Sequence, residues 1–148
     1  MNQITFFVPG IVQTKGSVRA FTPKGWTRPI LTNDNPKAKG WQNAITHAAH
    51  AAGCAPASVA VTLGITFWFS RPKAHHGTKG LRASAPAHHT QKPDIDKAVR
   101  VVLDALTGIA YRDDAQVDTV TVGKRWAQDG SVPGVAVTVT SGEEGAAP

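Results

Sequence analysis

The strongest constraint on the fold is an alternation across residues 58–70. Val59, Val61, Leu63, Ile65, Phe67 and Phe69 are apolar at every second position, in a stretch rich in β-branched and aromatic residues. Period two sends all six side chains to one face of a strand. In a helix, which turns about 100° per residue, the same six would scatter around the cylinder. The chain must therefore build a sheet with one buried face, and other elements must cover that face.

Two segments have the pattern to cover it. In residues 36–52, Trp41, Ala44, Ile45 and Ala48 fall at i, i+3, i+4 and i+7, which predicts a helix with one apolar face. Pro36 suits its first turn and Gly53 its stop. Residues 93–106 predict a second helix, with a stripe of Ile95, Val99, Val102, Leu103 and Leu106 and with Gly108 as terminator. Further strands are expected at residues 4–8, ending in Pro9-Gly10, and at residues 117–126 and 132–140. Gln128-Asp129-Gly130 reads as a hairpin turn joining the last two. Residues 11–32 read as a loop or irregular hairpin that projects positive charge, and residues 71–91 as a loop of about twenty residues, long enough to expect function or mobility. The 148 residues suit one domain. The element order predicts an α+β fold, a small mixed sheet with two helices packed on it. Residues 141–148 are expected to form a flexible tail.

Composition narrows the function. The net charge is +6, which favours polyanionic partners, because Lys and Arg release counterions from phosphates. The one cysteine, Cys54, has no second thiol for a disulfide or a zinc cluster and reads as a buried or incidental thiol. No secretory signal and no transmembrane run is legible, so we expect a cytoplasmic protein without a membrane partner.

The chemistry concentrates in residues 92–117. Asp94 and Asp96 stand two apart at the start of the second predicted helix, and Asp113-Asp114 follow just past its end. Hard cations such as Mg²⁺ take oxygen ligands, commonly one or two carboxylates with phosphate and water. Ile95 is expected to enter the core and anchor the pair. For either aspartate alone, helix capping is the competing role. Four carboxylates near one helix, however, repel each other unless cations offset them. Asp96, Arg100 and Asp104, spaced by four, share a helix face and read either as a solvated salt-bridge row or, for Arg100, as a cation for the scissile phosphate. Spacing alone supports a divalent-metal site in a basic protein.

This stretch resembles the signature of RusA-type Holliday junction resolvases, a family often found in phages and prophages. The signature is an Asp-x-Asp pair, a basic residue four later, Asp-Ala-Leu, a short turn and Asp-Asp-x-Gln. Here it reads Asp94-Ile95-Asp96, Arg100, Asp104-Ala105-Leu106 and Asp113-Asp114-Ala115-Gln116. Val8-Pro9-Gly10, Lys15-Gly16 and Arg19 also fit the family's N-terminal part. The resemblance implies a homodimeric, Mg²⁺-dependent endonuclease, with Mn²⁺ as an alternative ion and no organic cofactor. Its substrate would be branched DNA, nicked symmetrically in recombination and repair. It also implies Asp94, Asp96 and Asp114 as catalytic metal ligands, with the neighbouring Asp113 as a further candidate metal residue. Two positions depart from the pattern: Lys97 replaces the usual Asn, and Arg100 the essential lysine. We read that lysine's role as electrostatic, which Arg100 can fill; were it a proton donor, either the enzyme is impaired or Lys97 has taken over.

Lys15, Arg19, Lys92 and Arg112 are the expected DNA contacts. Lys24, Trp26 and Arg28 extend the first basic surface, with Trp26 either stacking on an unpaired base or buried. Lys73, Lys79, Arg82 and Lys92 make residues 71–92 a candidate clamp on the junction. His75, His76, His88 and His89 read as exposed loop residues, since adjacent histidines lack the i,i+4 spacing of a helical metal pair. Two other functions share these features: a divalent-metal nuclease acting on flaps or other branched DNA, and a non-catalytic DNA-binding protein.

Overall fold

A computed structural model describes residues 2–16, 18–33 and 35–142; the side chains of Val18, Arg19, Thr32 and Asn33 lie outside that description. The elements, in order, are β1 (Asn2–Pro9), β2 (Val18–Phe21), β3 (Ile30–Asn33), α1 (Lys37–Ala51), β4 (Val61–Phe69), β5 (His76–Gly77), β6 (Gly80–Leu81), α2 (Ile95–Leu106), β7 (Val117–Trp126) and β8 (Gly134–Ser141). The main sheet has the order β1-β8-β4-β7, and β2-β3 and β5-β6 form two small separate ladders. β4 pairs parallel with β7, while β8 pairs antiparallel with both β4 and β1. The sheet is therefore mixed and, with two helices against it, makes the expected α+β arrangement.

The alternating strand lies in the interior. Val61, Leu63, Ile65 and Phe67 are buried, with Val135, Val137 and Val139 of β8 and Phe6 and Val8 of β1 beside them on the same face. Against this face lie Trp41, Ile45 and Ala49 of α1 and Ala98, Val101, Val102, Ala105 and Leu106 of α2. A hydrogen bond from Thr46 Oγ1 to the Ala105 carbonyl (2.8 Å) ties the helices together. The other face, with Thr5, Phe7, Thr62, Trp68, Thr121 and Thr138, stays exposed or half-exposed.

Turn chemistry sets the ends of these elements. Gly10 has φ +143°, and a Cβ there would stand 2.9 Å from the Trp41 ring, so only glycine lets β1 end against α1. Gly53, at φ +95°, closes α1: its N–H donates to the His50 carbonyl and that of Cys54 to Ala49.

Several details differ from the sequence reading. β7 and β8 do not form a hairpin, because β4 lies between them. The turn around Gly130 exists, but residues 127–133 carry the chain past β4 to its far side. On α1, Ala44 is exposed and Ala49 takes its place inside. On α2 the buried stripe begins at Ala98, and Ile95 is 39% exposed rather than in the core. Ser141 belongs to β8, paired with Asn2 and Val61, so the expected tail cannot begin there; residues 143–148 lie outside the described residues.

Candidate active site

The site begins where α2 begins. Asp94 is the N-cap residue, with extended backbone (φ −65°, ψ 141°), yet its side chain makes no capping hydrogen bond. Its Oδ2 lies 3.6 Å from Lys97 Nζ, one turn on. Asp96 is exposed in the first turn, where its charge complements the helix dipole. What fixes this pair is not Ile95 but the chain ahead of it. Lys124 of β7 donates to the Gln91 carbonyl (2.7 Å) and the Pro93 carbonyl (2.9 Å), fastening the approach to Asp94 onto the sheet edge. Nothing in the local pattern of residues 117–126 marked Lys124 for this role; it depends on β7 lying parallel beside β4.

Asp113 and Asp114 lie on the turn that leads into β7. Tyr111 is fully buried, and its phenol donates to the Leu103 carbonyl of α2 (2.7 Å). Burial raises its pKa well above the ordinary phenol value, and the Asp114 and Asp104 charges add to this. Asp114 thus acts electrostatically on a group docked on α2. The turn itself, a short 3-10 helix over Asp114–Gln116, is closed by a capping box. Asp113 Oδ1 accepts from the Ala115 N–H (2.8 Å), and Gln116 Oε1 accepts from the N–H groups of Arg112 (2.8 Å) and Asp113 (3.0 Å). Gln116 Nε2 donates to the Ala57 and Val59 carbonyls (2.8 and 3.0 Å), joining the turn to the segment ahead of β4. Gln116 therefore holds the turn together. Its spacing from Asp113 was the visible signal for this role. The Asp113 carboxylate is occupied as a cap, whereas the Asp96 and Asp114 carboxylates make no hydrogen bond or ion pair among the described residues.

The basic groups approach from the N-terminal segment. Asn35 holds that segment through Gln13 Oε1 (2.9 Å) and the Thr14 carbonyl (2.8 Å). Lys15 forms an ion pair with Asp104, so Asp104 is not a rung of an Asp96–Arg100–Asp104 ladder. Lys15, Lys97 and Arg100 line one cleft of about 200 Å³ with Thr14, Gly16 and Val101. Arg100 makes no ion pair among the described residues. Lys92 and Arg112 are exposed on either side of α2 in the chain; the Arg19 side chain lies outside the described residues.

Asp94, Asp96 and Asp114 offer oxygen donors only, the set a hard divalent cation takes. Two of the three are uncommitted, and that chemistry fits Mg²⁺ or Mn²⁺. Among the described residues, no three His, Cys, Asp or Glu side chains are gathered into a ready metal cage. Asp94 and Asp96 share the start of α2, whereas Asp114 lies on the turn after α2, which Tyr111 docks at Leu103 near the other end of the helix.

The loop over residues 71–91 is folded back on the sheet. The Arg71 guanidinium donates to the Pro86 carbonyl (2.8 Å), and Arg82 Nε to the His76 carbonyl (3.1 Å). His89 is not exposed: it is buried, stacked on Phe69 at 4.0 Å and tilted against Trp126 at 4.5 Å. Burial lowers its pKa, and the Lys124 charge adds to the effect. Trp26 is exposed, which removes it from the core. Cys54 is buried and free, and burial pushes its thiol pKa up. No helix among the described residues is long and apolar enough to cross a membrane.

The model of the family described as endodeoxyribonuclease RusA matches residues 12–140, most of the chain. No curated protein matches the sequence.

Proposed function

Because the chain belongs to the RusA endodeoxyribonuclease family, we propose that it is a divalent-metal-dependent nuclease that resolves four-way DNA junctions by paired nicks. We place it in the cytoplasm, in DNA recombination and repair. The observation that carries this reading is the uncommitted state of the Asp96 and Asp114 carboxylates, on a helix and its following turn, with Lys15, Lys97 and Arg100 lining a cleft along the same helix.

Asp94, Asp96 and Asp114 are the residues that would hold Mg²⁺ or Mn²⁺, which supplies a more acidic bound water and a counter-charge for the phosphate. The protein's own groups do the rest. Arg100 meets the scissile phosphate and stabilises the charge that develops on it, a role in which a permanently charged guanidinium serves as well as an ammonium. Lys97, one turn from Asp94, is the nearby amine able to give a proton to the leaving oxygen. Asp113 supports Asp114 through the turn rather than reaching for the ion. Lys15, Arg19, Lys92 and Arg112 grip flanking phosphates. A homodimer supplies two such sites related by a two-fold axis, which matches the symmetry of a four-way junction.

Asp94→Asn tests the assignment. It removes one charge and leaves the N-cap backbone in place. Junction cleavage in Mg²⁺ should be lost, while junction binding in a gel shift persists or tightens. Cleavage at the wild-type rate would refute the role of Asp94.

A further inference from the structure

A second site lies on the other side of Lys92-Pro93. Its cleft, of about 470 Å³, is lined by Trp68, Phe69, His89 and Trp126 and by the chain from Gln91 to Pro93, with Ile11 and Pro133 at its mouth. That volume falls within the range of sites that take small organic ligands, about 300–1,000 Å³. Its walls are rings: His89 stacks on Phe69, Trp126 tilts against His89, and Arg71 lies over Trp126 at 5.1 Å. His89 Nδ1 and Trp126 Nε1 are buried without a hydrogen-bond partner, on residues 6% and 8% exposed. Both atoms have almost no accessible surface, so what the cleft offers a ligand is the ring faces themselves. Cations surround the apolar walls, with Lys92 on the rim, Lys124 beneath the 91–93 segment and Arg71 behind Trp126.

We propose that this cleft receives one unpaired nucleobase of the branched DNA, next to the phosphate presented to Asp94. The inference rests on the nuclease reading above. An aromatic face among cations suits a base that has left its stack while its flanking phosphates stay outside. The bases at a branch point are the ones whose unstacking costs least. Lys92 and Pro93 belong to both places: they form the cleft's wall and lead into Asp94. A base held there fixes the register of the strand at the carboxylates, so the cleft governs where a junction is cut.

The test is an abasic scan. Four-way junctions carrying a single abasic residue at successive positions around the crossover are titrated with the full-length protein in EDTA, and affinity is read by fluorescence anisotropy. One position, adjacent to the cleaved phosphate, should weaken binding by about tenfold, the size of a lost base–aromatic stack. Trp68→Ala removes a wall that is only partly buried, and Ile11→Glu puts an anion at an exposed part of the mouth. Both should weaken binding of the intact junction by a similar factor and make the abasic substitution neutral. A flat scan with tight junction binding overturns the cleft proposal and leaves the nuclease reading standing. So does a loss that multiplies with Trp68→Ala and Ile11→Glu instead of being absorbed by them. Failure to bind any branched DNA overturns both.

Discussion

Arg100 stands four residues after Asp96, on the exposed side of α2, with no carboxylate partner among the described residues. A free guanidinium one helical turn from an uncommitted Asp96 is suited to charge stabilisation and not to proton transfer. Arg100→Ala should therefore lower single-turnover cleavage by about 10²–10³-fold, the usual size of one lost transition-state donor, while Arg100→Lys keeps most of the rate. Equal losses in the two variants would assign Arg100 a role in shape rather than charge. His89 makes a separate prediction. Its folded-state pKa is lowered, whereas the unfolded chain takes up the proton near the ordinary value of about 6.5. Its contribution to stability is then intact above about pH 6.5 and is lost as the pH falls from there toward the folded value. Thermal melts between about pH 7.5 and 5.5 should show a falling Tm, and His89→Phe should shrink that fall; an equal fall in both proteins would contradict it. At this scale the aspartates and Arg100 stood out as candidates, because residue type and spacing mark them and the family signature runs through them. His89 did not. A doubled histidine in a Pro- and Gly-rich loop carries no periodicity, and only the fold brings Phe69 and Trp126 around it.

Gln116 links elements that are far apart in the chain. Its amide makes four hydrogen bonds, joining Arg112 and Asp113 to the Ala57 and Val59 carbonyls, and so fixes the turn that presents Asp114 against the segment entering β4. Gln116→Ala leaves those groups unpaired, at a cost of roughly 1–3 kcal/mol for each one left dry. A reduced Tm is expected, with cleavage reduced more than DNA binding, since of the four proposed phosphate contacts only Arg112 is held by the turn. An unchanged cleavage rate would show that Asp114 needs no such support. Both helices and all four strands of the main sheet could be read from period and punctuation. Strand neighbours could not. Alternation predicts that residues 117–126 and 132–140 are strands, yet nothing in it reveals that β4 separates them. The same gap hid Lys124, whose grip on Gln91 and Pro93 exists only because β7 runs parallel beside β4.

Across the whole molecule, one sheet face is buried under α1 and α2. The proposed site draws its side chains from the start of α2, the turn after it and the N-terminal basic segment. A net charge of +6 gives the chain a general attraction for DNA, but selectivity for a junction requires two sites with matched geometry. A plasmid that extrudes a cruciform measures this directly. Two nicks made within one binding event linearise it, whereas a single nick relaxes the cruciform and leaves an open circle. With Mg²⁺ the protein should yield linear plasmid, with EDTA no cleavage, and with Asp114→Asn bound but uncut DNA. An intact plasmid in both Mg²⁺ and Mn²⁺, or cleavage that persists in EDTA or in Asp114→Asn, would contradict a metal-dependent resolvase centred on Asp94, Asp96 and Asp114.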